Sequence, residues 1–336
     1  MTIVTGGAGF IGTHLVELLA TQGAELRVVE KPGVDASHLP TCVELVYADI
    51  RDRSSLDAAL RGGRFVFHLA ANPNLWARDP TEFDAVNHLG TVNVLDAAIA
   101  SGAERIVHCS TESILTCSRQ NTPIDESVEI EDTDAVGPYC LSKLRAERAA
   151  HARAAAGHCV LVANPTMPVG PGDRGLSPPT RLIRDFCEGR LIASMDATLN
   201  LIDVRDAALG LLKVMERGRP GRRYLLGAEN LSLSQLLAQL SAYTGVSVPQ
   251  WRVPYWFGLC FAQLSEFWAT FFSKQPPKAS VTGVRLTRRT MHFDSSNSLN
   301  ELCLVPRPVH QALIDSVDWL IQTGRIQPAR RFHITR

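Results

Sequence analysis

Seven residues near the N-terminus, Gly6-Gly7-Ala8-Gly9-Phe10-Ile11-Gly12, restrict the fold more than any other stretch. They follow a short apolar run, Thr2–Val4, and open a segment, Ile11–Thr21, whose apolar residues recur at helical period. A strand that turns directly into a helix needs small residues here. Gly6 makes the tight turn, Gly9 lets the backbone approach a pyrophosphate, and Gly12 lets helix and strand pack closely. The helix start then offers free N–H groups and the positive end of its dipole to phosphates.

The pattern that begins there repeats. Buried-strand runs at Leu26–Val29, Val43–Tyr47, Phe65–Leu69, Ile106–Cys109 and Val160–Val162 alternate with helical stretches at Ser54–Leu60, Thr81–Ala100 and Tyr139–Ala155. Regular alternation predicts a parallel sheet covered by helices on both faces. With right-handed crossovers this is an α/β fold, a Rossmann-type doubly wound parallel sheet. After about residue 165, prolines and glycines punctuate a long loop, and a smaller C-terminal substrate region follows. The expected division is a dinucleotide-binding domain over 1–165, a substrate-binding region over 166–324 and a basic tail over 325–336, with room for strands to return to the sheet. Helices are expected near Arg181–Cys187, Ala207–Glu216, Gln235–Thr244 and Val309–Thr323, the third capped by Ser232 or Ser234.

Composition removes several alternatives. Lys+Arg equals Asp+Glu at 34 each, so no net field draws the whole chain to nucleic acid. The eight cysteines form no CxxC pair and none stands with histidine at zinc spacing, so free thiols in the cytoplasm and no metal site are expected. The opening residues lack a basic segment and a long apolar segment, so no secretory signal is expected. No run of 18 uncharged apolar residues predicts a spanning helix.

Two further groups carry chemistry. Glu30, followed by Lys31, ends the second strand about 20 residues past the glycines, where an acid accepts hydrogen bonds from the adenosine ribose. A 2′-phosphate there would meet like charge, so the expected cofactor is NAD, with NADP the alternative if Lys31 turns to it. Tyr139-Cys140-Leu141-Ser142-Lys143 places a phenol and an ammonium one helical turn apart. The expectation is that Lys143 lowers the Tyr139 pKa toward neutrality, making Tyr139 a general acid or base.

The GxxGxxG spacing at the chain start, with this YxxxK, resembles the extended short-chain dehydrogenase/reductase family. Leu75–Pro80, Asn164–Thr166 with Val169–Pro171, Asn200–Val204 and Gly221–Gly227 are similar to its hopanoid-associated sugar epimerase and dihydroflavonol-reductase-like branch, which shades into 3β-hydroxysteroid dehydrogenases. The resemblance covers about residues 1–320. It implies a cofactor site of Gly6, Gly9, Phe10, Ile11, Gly12, Glu30, Lys31, Asp49, Ile50, Leu69, Ala70, Ala71, Tyr139, Lys143, Pro165 and Thr166. It implies a catalytic group of Thr111, Tyr139 and Lys143, with Ser110 second to Thr111, and Asn87 supporting the active-site helix. Sugar-nucleotide dehydratases of the family carry two acids after the threonine. Glu112 keeps the first, and Ser113 replaces the second, which argues against dehydration. A homodimer through Thr81–Ala100 and Tyr139–Ala155 is also implied.

Two departures bear on the substrate. Met167 and Leu199 stand where nucleotide-sugar enzymes of the family place polar and cationic residues. A diphosphate needs bidentate cations, so the expectation is an apolar, lipid-like substrate held by Thr111, Glu112, Met167 and Leu199, in a pocket without a cluster of cations. The expected reaction interconverts a secondary alcohol and a ketone. A sugar epimerase and a non-catalytic cofactor-bound scaffold are the alternatives. Trp251–Phe272 holds nine of the chain's 22 aromatics in 22 residues, read either as a core or lid helix or as a contact with a membrane surface.

Overall fold

The computed structural model describes residues 1–116, 122–273 and 275–327. The first half runs β1 (Thr2–Thr5), α1 (Phe10–Thr21), β2 (Leu26–Glu30), β3 (Glu44–Tyr47), α2 (Arg53–Ala59), β4 (Phe65–His68), α3 (Thr81–Phe83), α4 (Gly90–Ala100), β5 (Arg105–Cys109), α5 (Gly137–Ala155) and β6 (Val160–Pro165). The rest runs β7 (Met167–Val169), α6 (Pro178–Cys187), β8 (Ala193–Ser194), β9 (Thr198–Asp203), α7 (Val204–Arg217), β10 (Arg223–Leu226), β11 (Glu229–Ser232), α8 (Leu233–Thr244), β12 (Trp251–Arg252), α9 (Tyr255–Phe271), α10 (Val281–Leu286), α11 (Ser296–Leu302) and α12 (Val309–Gln322).

Seven strands form one parallel sheet in the order β10-β6-β5-β4-β1-β2-β3. The expected fold class is the observed one. Its strands are nearly all buried on both faces because apolar layers cover both. Leu15, Val16, Leu19 and Leu211 pack on one side and Leu56, Leu60, Val94 and Leu95 on the other. The strand order reverses between β1 and β4, and ligands of open α/β sheets bind at the carboxyl ends beside such a switch point.

The chain crosses back after residue 165: β10 adds the seventh strand beside β6, and α7 packs against α1. The C-terminal elements α6, α8 and α12 share a separate apolar core of Phe186, Leu236, Leu240, Leu313, Val317 and Leu320. Ser232 caps α8, its hydroxyl accepting the Gln235 N–H at 3.2 Å while Gln235 reaches back to the Ser232 N–H. One helix expected as continuous, Thr81–Ala100, is interrupted: Asp84–Leu89 forms a π turn between α3 and α4. That turn carries Asn87 inward, fully buried. The aromatic segment is likewise two elements, β12 and α9. Residues 328–336, most of the basic tail, lie outside the described residues.

Candidate active site

The glycine turn joins β1 to α1 at the switch point. Gly6 has φ of +73°, and a Cβ on it would stand 2.6 Å from the Ala70 nitrogen after β4. A Cβ on Gly12 would lie 2.2 Å from the Gly6 oxygen. These approaches exclude any larger residue. Gly9 caps α1 with no side chain to occupy its first N–H groups, and Phe10 and Ile11 follow, half-buried. Such a cradle fits a pyrophosphate. Glu30 ends β2 with its Oε1 accepting the Ala8 N–H at 2.7 Å, and burial raises its pKa. Its carboxyl therefore touches the turn itself, whereas Lys31 is exposed. Asp49 holds the Arg51 guanidinium at 3.0 Å, which keeps its carboxyl below the usual range, and Ile50 is buried beside it. Leu69, Ala70 and Ala71, half-buried, continue from β4 past Gly6.

The second group comes from β5 and α5. Helix α5 starts at Gly137, whose φ is +76° and where a Cβ would meet the Thr282 hydroxyl at 2.4 Å. Tyr139 and Lys143 follow on one face, both buried. The Tyr139 ring packs with Leu75, Ala77, Phe83 and Leu286, its centroid 6.1 Å from that of Phe83 in an edge-to-face pair. The Tyr139 hydroxyl lies near the Thr111 hydroxyl, which opposes the effect of burial on it. Thr111 Oγ1 also donates to Glu112 Oε2 at 2.8 Å. Burial pushes the Glu112 carboxyl up to about 7, against the opposing bond from Thr111.

Beyond β6, Pro165 pairs with Leu226 of β10, and Thr166 is fully buried behind it. Met167 and Leu199, expected on the substrate wall, pack against the C-terminal apolar core. A separate cavity of about 530 Å³ opens beside Val136 and Gly137, at the start of α5. Tyr255 lines it, as do Arg285, Arg288 and Arg289. Neither Thr111 nor Tyr139 lines this cavity, so its cations stand beside the candidate catalytic group and outside the pocket expected around it. The arginines come from α10 and the residues after it, far in sequence from the motif positions where Met167 and Leu199 replace polar groups.

A profile of the NAD dependent epimerase/dehydratase family matches residues 2–227. The chain belongs to that family. It is an NAD-dependent enzyme of the oxidoreductase class. A Synechocystis protein whose name assigns it provisionally to dihydroflavonol 4-reductase is 34% identical, over 96% of this chain and 95% of its own. Sterol demethylase protein B of Methylococcus capsulatus is 31% identical, over 97% and 99%. The crystal structure of gox2253 superposes with a TM-score of 0.86 at 32% identity, over 97% and 99% of the two chains. MoeE5 in complex with UDP-glucose and NAD shares the fold at a TM-score of 0.74 and 22% identity, over 96% and 99%.

For a member of this family, the electrostatics at Tyr139 differ from expectation. Burial, then the Glu112 carboxylate, holds the phenol above its ordinary pKa. Lys143 does not reverse this, because its ammonium donates to the Cys109 carbonyl at 2.8 Å. In this arrangement the phenol keeps its proton.

Several supporting residues were not among those expected from the sequence. Glu147 is buried behind Thr111 and pairs with Arg223 at 2.7 Å. Asn164 Nδ2 donates both to Glu147 Oε2 at 2.7 Å and to the Thr111 carbonyl at 3.1 Å. The Ser110 hydroxyl is buried near Glu147 without a hydrogen-bond partner, and Thr111 is the hydroxyl beside Tyr139. The spacing Tyr139, Lys143, Glu147 repeats every four residues, a helical signal that would have marked Glu147. Arg223 comes from β10, 76 residues on, and carries no local signal. Asn87 donates to Ser142 Oγ at 3.1 Å and accepts the Asn72 N–H at 2.7 Å, so it ties the loop after β4 to α5. Among the described residues no His, Cys, Asp and Glu group could hold a metal.

Proposed function

We propose that the protein interconverts a ketone and a secondary alcohol on an apolar, lipid-like substrate, using NAD. The observation that carries this reading is the setting of Tyr139: a protonated phenol, close to the Thr111 hydroxyl, in an apolar cluster with Leu75, Ala77, Phe83 and Leu286. Gly6, Gly9, Phe10, Ile11 and Gly12 would hold the pyrophosphate of NAD. Glu30 would take the adenosine ribose, Asp49 and Ile50 the adenine, and Leu69, Ala70, Ala71, Pro165 and Thr166 the nicotinamide side. Bound NAD supplies the hydride donor or acceptor. Thr111 would fix the substrate oxygen beside Tyr139, and Tyr139 would give it a proton in the direction of reduction. Lys143 would hold the nicotinamide ribose from its place against Cys109. Glu112, poised near neutrality, would orient the Thr111 hydroxyl by accepting its hydrogen bond when ionised and releasing that bond when protonated. The similarity to a sterol demethylase protein over nearly the whole chain supports a polycyclic or long-chain lipid.

The arginine-lined cavity favours a second reading, a nucleotide-sugar epimerase, since bidentate cations suit a diphosphate. One assay separates the two. NADH with a panel of sterol, triterpenoid and long-chain ketones should show loss of NADH absorbance and formation of alcohol, abolished in Tyr139→Phe. Conversion of a UDP-hexose with no net change in NADH would select the epimerase instead. We propose a cytoplasmic homodimer joined through α4 and α5, which light scattering tests against a single-chain mass of 36.7 kDa.

A further inference from the structure

Helix α9 is built with its large side chains pointing away from the protein. Phe257, Phe261, Leu264, Trp268 and Phe271, spaced four, three, four and three residues, form one exposed stripe, with Leu264 and Phe271 each 69% exposed. Trp256 and Phe267 flank it and Phe272 extends it, all exposed. The rings pack on one another, Phe267 on Phe271 and Trp268 on Phe272, both at 4.9 Å. The inward face carries Gly258, Ala262, Glu266 and Ala269. A Cβ on Gly258 would meet the Met195 sulfur at 2.8 Å, and Ala262 and Ala269 are buried. A helix that covers a core does the reverse, burying its rings. With about half of a roughly 150–250 Å² side chain exposed at each ring, the patch reaches roughly 600–900 Å², beyond the roughly 300–600 Å² of an ordinary largest surface patch.

Charge says what covers it. Residues 251–294 hold six Lys and Arg against two acids, Glu266 and Asp294, in a chain whose total charge is zero, and one of the cations, Arg252, pairs with Asp196. Glu266 turns inward and accepts the Val281 N–H at 2.7 Å. The cations are distributed along the helix. Arg288 lies over the Tyr255 ring at 4.0 Å at its start. Lys278 sits beside its middle, where the Lys278 backbone N–H donates to Ser265 Oγ at 2.9 Å, and Arg78 donates to the Ser273 carbonyl at 2.8 Å at its end. A second copy on the same face would set these cations against one another, since a twofold contact pairs a surface with itself. An anionic leaflet complements both the apolar stripe and its cationic border. No described helix is long and apolar enough to cross a membrane.

We infer that α9 seats this protein in the interface of an anionic lipid bilayer, lying in the plane with its aromatic stripe among the acyl chains. The helix spans about 26 Å at 1.5 Å per residue. Its partner α10 reaches the Tyr139 wall through Leu286, so the lipid-facing element and the candidate site are linked by one helix pair. The seat stands on the surface alone. Its use as the entry for substrate rests on the lipid reading above.

Flotation with vesicles tests the seat without any turnover. The full chain should float with phosphatidylcholine vesicles containing phosphatidylglycerol, float less with phosphatidylcholine alone, and lose much of the binding in high salt. Its tryptophan emission should shift to the blue on binding. A Phe261→Glu, Leu264→Glu, Trp268→Glu variant should float at least tenfold less, with melting temperature, NAD binding and mass by light scattering unchanged. No flotation of the parent chain on the anionic vesicles would overturn the inference. So would equal flotation of a folded variant, or an oligomer of the parent chain that the variant breaks apart. Because NAD turnover is not read, a failed lipid-ketone assay leaves this test standing.

Discussion

The buried Glu147 carboxylate and the half-buried Arg223 guanidinium form an ion pair 2.7 Å apart, immediately behind the strand end that carries Thr111. Burial alone would raise the Glu147 carboxyl. His151, Arg223, Ser110 and Asn164 together outweigh it and hold the group at about 2. A carboxyl depressed below its unfolded value of 4.5 contributes stability that is complete above that pH and is lost as pH falls toward about 2. Glu147→Gln should cost about 3–5 kcal/mol, because it leaves the Arg223 charge half-buried without its partner. Chemical denaturation across acid pH should show the parent chain losing stability in that window and the variant losing much less. Arg223→Met should reproduce most of the cost.

The chemistry assigned to Tyr139 has a direct check. Tyr139→Phe keeps the ring that packs on Phe83 and removes the hydroxyl beside Thr111. Turnover of a ketone substrate should drop by ~10²–10⁴. NADH binding by fluorescence titration should change little, because the glycine turn is untouched.

Glu112 sets an opposite pH dependence. Its folded pKa of about 7 lies above the unfolded value of 4.5, so its contribution is fully present below pH 4.5 and lost as pH rises through about 7. With ~1.4 kcal/mol for each pH unit between the two values, the loss reaches about 3 kcal/mol. Glu112→Gln should therefore be more stable relative to the parent chain at about pH 8 than at about pH 5. It should also flatten any change in kcat near neutrality, since the titrating carboxyl that accepts the Thr111 hydrogen bond is gone. A pH series of melting temperatures and rates reads both.

Glu30 governs the choice of nucleotide. Its carboxyl touches the Ala8 N–H in the phosphate turn, and a 2′-phosphate would bring like charge against it. NADH should bind more tightly than NADPH, and Glu30→Ala should narrow the gap by about tenfold, equivalent to ~1.4 kcal/mol. Fluorescence titration of both nucleotides measures it. A preference for NADPH in the unsubstituted chain would assign the decision to Lys31.

What the sequence by itself determined is local and periodic. The glycine turn, the strand and helix alternation and the Tyr139–Lys143 spacing each depend on residues within a few positions, so their geometry follows from backbone sterics and the two periods of regular structure. They were enough for the sheet and for the placement of the phosphate turn at its switch point. Tertiary structure decided what depends on distant segments meeting. Arg223 reaches Glu147 only because β10 returns to the sheet, and Leu286 joins the Tyr139 wall only because α10 folds back on α5. Arg285, Arg288 and Arg289 converge on one cavity, where the motif positions alone predict no cations. The Lys143 ammonium bonds the Cys109 carbonyl, so a spacing that correctly places two groups on one face does not decide the proton's energy. The aromatic stripe of α9 also needed coordinates. Its periodicity is the same whether it faces core or solvent, and only the small residues beneath it, Gly258, Ala262 and Ala269, show which side the protein occupies.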